Sequence, residues 1–226
     1  MTRVIAVNSS PHRDNGYTHL ILKPFLEGIR LAGGDVELFY TRDLTINPCL
    51  ADIYCWGDGD GTCSQDDDMR MLLPKLADAT IWILATPLYF SGVSGQMKNF
   101  MDRLLPLGLP KVVVQYGHTG HPVRKPILNS KVVLVTNCGL YERDNFDAIL
   151  SHIRAFCKNV GREFAGALIR PHGWVVGKEM PEDIVTAAKN AGRQLIKEGT
   201  ISPEYFYTVS RDLISTDAFL KKSNTC

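Results

Sequence analysis

The chain has 226 residues, 45% of them apolar and 22% charged, with a formal net charge of +1. That length can bury one sizeable core, while the near-zero charge offers no single-sign field to draw in nucleic acid or an anionic membrane surface. No apolar stretch approaches a membrane span, and the opening segment is too short in apolar length for a signal peptide, so a cytoplasmic protein without membrane or nucleic-acid partners is expected.

Short apolar runs alternate with helical patterns along the chain. Val4–Val7 reads as the first strand, and Ile21, Leu22, Phe25, Leu26 and Ile29 then recur with helical period until Gly33-Gly34. Pro24 falls inside that pattern, where it costs about 3 kcal/mol, so a kink or a late helix start is expected. Val36–Tyr40 is the second strand, 43–66 is irregular, and Asp66–Ala77 is a helix opening on three carboxylates, which suits a helix N-terminus. Ile81–Ala85 is the third strand, and Met97, Met101, Leu104 and Leu105 mark the next helix face. Residues 106–130 contain four prolines and two histidines and read as a long loop or small hairpin near the carboxyl edge of the sheet. Val132–Val135 is the fourth strand, Phe146–Phe156 a helix, Phe164–Ile169 a weaker fifth strand, and Pro181–Lys197 a helix with proline in its first turn. Residues 203–226 form an extension, helical around Tyr205–Leu213, that would cover a sheet edge or a neighbouring subunit.

This alternation predicts an α/β three-layer sandwich, a parallel sheet with helices on both faces. Five strands favour the flavodoxin-like order 2-1-3-4-5. With no internal repeat or linker, residues 1–226 read as one domain plus the extension.

In such sheets ligands bind at the carboxyl ends of strands. The third strand stops at Thr86-Pro87 and runs into Leu88, Tyr89 and Phe90 before the helix begins, a place to hold a flat apolar molecule. The first strand runs into Asn8-Ser-Ser-Pro-His-Arg-Asp-Asn-Gly-Tyr-Thr18. This is neither a dinucleotide fingerprint nor a P-loop. A hydroxyl-rich loop entering a helix N-terminus suits a phosphate, but it reads equally as a turn capped by Thr18.

The combination of this loop with T-P-L-Y-F-S-G-V-S-G-Q-M-K-N-F-M-D-R over Thr86–Arg103 resembles the NAD(P)H-dependent FMN reductase and iron–sulfur flavoprotein group of the flavodoxin-like superfamily, over roughly residues 3–170. The resemblance implies bound FMN, a nicotinamide donor, a small-molecule or protein electron acceptor, and a homodimer or homotetramer. It implies FMN contacts from Ser10, His12, Tyr17 and Thr18 at the phosphate, Pro87, Leu88, Tyr89 and Phe90 along the ring edge and ribityl chain, and Asn137, Cys138 and Gly139 on the pyrimidine side. Whether His12 or Arg13 meets the phosphate stays open, because the loop is one residue longer than the group's pattern. No residue stands out as a catalytic acid or base. His118 and His121, in the long loop, read as surface or turn residues.

Iron–sulfur members of that group carry four cysteines in a compact loop. Here Cys49, Cys55 and Cys63 match three of them, and Asp52 stands in the second position. Four thiolates are the usual cluster holder, so the expectation is FMN without a cluster or other metal, Trp56 packing this loop near the flavin or a partner subunit. The alternative is an iron–sulfur flavoprotein or a flavodoxin-type electron carrier; true flavodoxins are smaller and strongly acidic.

Overall fold

The structure, a computed structural model, describes residues 1–115, 117–177 and 179–225; Cys226, the last of six cysteines, lies outside them. In chain order the elements are β1 (Thr2–Asn8), α1 (Tyr17–Leu31), β2 (Gly34–Tyr40), α2 (Met69–Asp78), β3 (Ile81–Pro87), α3 (Gly95–Asp102), β4 (Val113–Gln115) and β5 (His118–Gly120). There follow β6 (Lys131–Asn137), α4 (Asp147–Asn159), β7 (Glu163–Arg170), α5 (Glu182–Glu198), α6 (Pro203–Val209) and α7 (Thr216–Ser223).

The main sheet has the order β2-β1-β3-β6-β7, and every neighbouring pair is parallel. The expected 2-1-3-4-5 topology is therefore present, with β6 and β7 as its fourth and fifth strands. The central strand β3 is buried along its whole length, from Ile81 to Pro87. That is why its sequence is continuously apolar rather than alternating. Successive strand residues point to opposite faces. Val4, Ala6, Ile83 and Val133 pack with α1 and α5, whereas Ile5, Val7, Leu84 and Leu134 pack with α2, α3 and α4. The edge strand β7 carries an irregularity opposite Val132 and Val133, where Gly166 adopts φ +135°, and this breaks up its sequence signal.

The first helix neither starts late nor stops at proline. It runs from Tyr17 to Leu31 with Pro24 buried inside it. Its partner is α5, and the two backbones touch through glycines. A Cβ on Gly28 would stand 1.9 Å from the Lys189 carbonyl oxygen, and one on Gly192 would stand 2.1 Å from that of Phe25. Close packing of this kind holds a proline-bearing helix that local propensity alone would penalise.

The segment after β3 shapes the opposite face. α3 has eight residues and so extends about 12 Å, whereas a seven-residue strand such as β3 extends roughly 23 Å. On that face α3 therefore covers only part of the length of β3, beside α2 and α4. Residues 103–130 follow on this side: Leu104 and Leu107 join the core around the 3₁₀ turn Leu105–Leu107, and the antiparallel hairpin β4–β5 is largely exposed. The hairpin expected here is present, but the insertion does not stay at the carboxyl edge. It reaches the turn between α4 and β7, where a Cβ on Gly161 would lie 3.3 Å from a Val123 methyl. The C-terminal extension covers the β7 edge: α6 packs against α5 and β7.

Candidate functional site

Loops following β1, β3 and β6 lie side by side, because those three strands are adjacent. The first loop folds on its own hydroxyls. Ser10 N–H donates to Asn8 Oδ1 at 2.9 Å, and His12 N–H donates to Ser10 Oγ at 3.4 Å. Asn8, Ser9, Ser10 and Thr18 are all buried. α1 then begins after Gly16, and no side chain caps its N-terminus. Gly16 allows the helix to start against the loop, since a Cβ there would lie 2.4 Å from Ser10 Oγ. His12 and Tyr17 are exposed at the rim, and Arg13 is drawn to an ion pair with Asp43.

Thr18 is neither the cap nor a free hydroxyl. Its Oγ1 donates to Asn137 Oδ1 at 2.5 Å, across 119 residues of sequence, and so ties the first loop to the end of β6. Asn137 also holds the third-strand loop, because its carbonyl oxygen accepts from Leu88 N–H at 2.8 Å. One residue therefore joins the three segments expected to surround a single ligand.

In the third-strand loop Pro87 is buried and Leu88 half-buried, while Tyr89 is 51% and Phe90 fully exposed. Tyr89 and Gly92 exchange two backbone hydrogen bonds of 3.1 and 3.0 Å, and the two residues between them, Phe90 and Ser91, have φ +46° and +63°. Such a turn normally takes Asn or Gly, and a bulky residue there is strained. The loop is stapled at its far end. Ser94 Oγ bonds Ser9 Oγ at 2.8 Å and accepts from Met97 N–H at 3.2 Å as the cap of α3.

Beyond Asn137, Cys138 is buried and its thiol donates to the Leu140 carbonyl at 3.3 Å. Burial pushes this thiol up, so it stays protonated near neutrality. Gly139 presents its carbonyl to Trp174 Nε1 at 2.9 Å. The sequence reading did not single out the next layer. Arg170, fully buried, donates to the carbonyls of Pro171, Val209 and Arg211, gripping the extension, and burial lowers its guanidinium to about 10. Tyr141 stacks on His172 at 4.9 Å, and Phe219 of α7 closes against Tyr141 and Trp174. The signal available in the sequence was Pro171-His-Gly-Trp174 directly after a strand.

The cysteine loop is built around a buried ion pair. Arg103 and Asp67 are almost wholly buried and meet through two hydrogen bonds of 2.6 and 2.9 Å. Burial pushes the Asp67 carboxyl up, but the Arg103 guanidinium and the N–H groups of Asn47 and Met69 outweigh this and hold it below the usual range. Arg103 Nη2 also donates to Cys63 Sγ at 3.4 Å. Asp52 faces solvent, and its carboxylate accepts from Ser64 Oγ at 2.5 Å and Tyr54 N–H at 3.2 Å. Trp56 packs away from the β1, β3 and β6 loops, donating to the carbonyls of Leu105 and Gly108 and lying against His121. Among the described residues, no three His, Cys, Asp or Glu side chains are arranged to hold a metal ion. The loop offers three thiols and a solvent-facing carboxylate, which does not fit the four-thiolate set.

Residues 2–155 match the family described as NADPH-dependent FMN reductase, and the chain belongs to that family. Among curated proteins it is 37% identical over 105 residues to an iron–sulfur flavoprotein of Methanocaldococcus jannaschii, covering 46% of this chain and 53% of that one. It is 33% identical over 101 residues to an iron–sulfur flavoprotein of Archaeoglobus fulgidus, covering 45% and 48%. The matched region thus spans about half the length of each relative. Its fold is similar to that of an FMN-dependent NADH-azoreductase from Bacillus anthracis crystallised with FMN, with TM-score 0.62 at 13% identity over 88% of this chain and 100% of that one. It is also similar to that of an NAD(P)H:quinone oxidoreductase from Methanothermobacter marburgensis, with TM-score 0.62 at 18% identity over 85% and 95%.

Proposed function

We propose that the protein is an FMN-dependent oxidoreductase that takes a hydride from NADH or NADPH and passes electrons to a small-molecule or protein acceptor. The observation that carries this reading is the uncapped start of α1 packed against Ser10 through Gly16, at the carboxyl ends of adjacent strands in a member of the FMN reductase family. The residues fit the group. Helix N–H groups without a side-chain cap favour a phosphate, and the buried Asn8 Nδ2 beside them lacks a hydrogen-bond partner within the chain.

Bound FMN supplies the hydride and electron chemistry, while the protein binds, orients and tunes it. Ser10 and the first backbone N–H groups of α1 hold the phosphate, with His12 and Tyr17 at its rim. Thr18 acts through Asn137, fixing the distance between the phosphate loop and the β6 loop. Pro87, Leu88, Tyr89 and Phe90 flank the ring edge and screen it from water. Asn137, Cys138 and Gly139 face the pyrimidine side, where Cys138 is a neutral wall rather than a thiolate. The exposed Tyr89 and Phe90 leave an apolar rim that a second copy of the chain would cover in a dimer or tetramer.

The named relatives favour a second reading, an iron–sulfur flavoprotein; Asp52 in place of a thiolate opposes it. The visible spectrum of the purified protein separates the two. Flavin bands alone, bleached by NADH or NADPH in stopped flow, are the expected result. A flavin that neither nicotinamide reduces would leave an electron carrier. A protein that is colourless and does not bind added FMN would end the proposal.

A further inference from the structure

Away from the flavin loops, the sheet face that α3 leaves uncovered holds a cavity of about 1010 Å³. It lies between α2 and the C-terminal end of α4, under the insertion 103–130. Arg70, Leu73, Pro74 and Ala77 line one side, the spacing of a single helix face. Leu104, Val123, Phe156 and Val160 make the remaining walls largely apolar.

Among the charged side chains that line it, Asp60 and Asp102 are paired with Arg124 and Lys98, and Arg162 stands apart from them. Arg162 lines the cavity with its guanidinium 3.7 Å from the Trp82 ring centroid. It donates to the carbonyls of Thr80 and Leu76, each at 3.2 Å. These bonds and the ring orient it, but they use two of its five N–H donors and supply no negative charge. None of the ion pairs among the described residues involves Arg162. Its other ionisable neighbour, Cys157, is a thiol pushed up by burial to about 12, so it stays neutral. Burial lowers the guanidinium itself to about 10. Arg162 is half-buried, and cations partly withdrawn from water are normally paired with an anion. At the other basic residues of this wall the pairing is complete: Arg70 meets Asp66, Arg124 meets Asp60, and Lys125 meets Asp78.

We propose that this cavity is a second ligand site, for an apolar organic anion whose hydrocarbon body fills the space between α2 and α4 and whose carboxylate or sulfonate meets Arg162. Its placement behind the helices separates it from the nicotinamide and acceptor face, so it does not depend on the function proposed above.

The test uses the full-length protein saturated with FMN, titrated calorimetrically with 1-naphthoate and, separately, with the neutral 1-naphthalenemethanol. Saturable one-to-one binding of naphthoate is expected, at least tenfold tighter than that of the alcohol, since a hydrogen bond to a charged group is worth about 1.5–3 kcal/mol. Arg162→Gln should weaken naphthoate by about tenfold or more and leave the alcohol nearly unchanged. Ala77→Trp, which narrows the cavity from α2, should weaken both several-fold while FMN binding persists. Absence of saturable binding, equal affinity for acid and alcohol, or unchanged affinity of both ligands for Ala77→Trp would each overturn the proposal. The comparison of the two ligands and Ala77→Trp decide it even where Arg162→Gln fails to fold.

Discussion

Replacing Gly16 with alanine probes the phosphate end of the proposed flavin site. The backbone at Gly16 has φ −87° and ψ 151°, which alanine adopts freely, so any effect must come from the added methyl. That methyl would lie 3.3 Å from His12 Cβ and 3.4 Å from the Arg13 carbonyl oxygen, both tolerable, but only 2.4 Å from Ser10 Oγ. The last contact is about 1 Å inside van der Waals distance. The free protein escapes by rotating Ser10 about χ1, which breaks the His12 N–H bond and swings the hydroxyl off the loop. Binding a phosphate there demands the hydroxyl back against the methyl. Overpacking of this kind costs about 1–3 kcal/mol, so the FMN dissociation constant should rise roughly 5- to 150-fold. Titration of apoprotein followed by quenching of FMN fluorescence reads this directly. Ser10→Ala alone should lose one hydrogen bond, about 1 kcal/mol. The double variant should bind no worse than Ser10→Ala, because the clash is gone. Unchanged affinity in Gly16→Ala, or simple additivity in the double variant, would refute the assignment of this loop to phosphate.

The other predictions concern stability and the cysteine loop. Gly28→Ala places a methyl 1.9 Å from the Lys189 carbonyl oxygen, and that atom is backbone, so α1 and α5 must separate. A loss of about 3 kcal/mol or more should lower Tm by roughly 6–12 °C, and a change within about 2 °C would contradict the close packing. Asp67→Asn leaves Arg103 buried without its carboxylate and should cost about 3–5 kcal/mol in denaturant unfolding. The same pair sets an acid limit. Because the folded carboxyl is held below its usual value, the stabilisation is fully present above about pH 4 and is lost as pH falls through the depressed value. The Asn variant should show a flatter acid limb. Asp52→Cys completes four thiolates with Cys49, Cys55 and Cys63. Anaerobic reconstitution should then load iron and sulfide that bleach on reduction, where the parent protein takes up little; equal iron uptake by both would show that Asp52 is no obstacle.

What the sequence made legible follows from where the physics is local. β1, β3 and β6 are buried on both faces, so Val4–Val7, Ile81–Ala85 and Val132–Val135 announce themselves as apolar runs. Their alternation with amphipathic helices then leaves few topologies. The positions of Ser10, Tyr89 and Asn137 on three adjacent loops were readable for the same reason, since adjacency in the sheet order follows from the strand count. The partner of Thr18 was not readable. A hydroxyl at a helix start suits a cap locally, and only the folded sheet brings Asn137 within 2.5 Å of it. Gly28 and Gly192 are poor helix formers by local propensity, and their purpose appears only where two helix backbones meet. Pro24 misled for the mirror-image reason: local propensity argues for a break that packing against α5 overrides. The shortness of α3 was hidden because Leu104 and Leu105 keep the apolar character of a helix face after the helix has ended at Asp102.

The backbone at Phe90 and Ser91 links the fold to the proposed chemistry. Two adjacent residues in left-handed conformation cost about 1–3 kcal/mol each, and glycine at either position would remove most of that cost. Phe90 also leaves its ring fully in water, so neither burial nor backbone comfort within this chain accounts for it. The turn is held there from both sides, by Leu88 on Asn137 and by Ser94 on Ser9. These anchors reach the ends of β6 and β1, the strands whose loops would carry the pyrimidine side and the phosphate. The strain is therefore stored in a loop whose aromatic residues have most to gain from a flat ligand or a covering subunit, the role proposed for Pro87–Phe90.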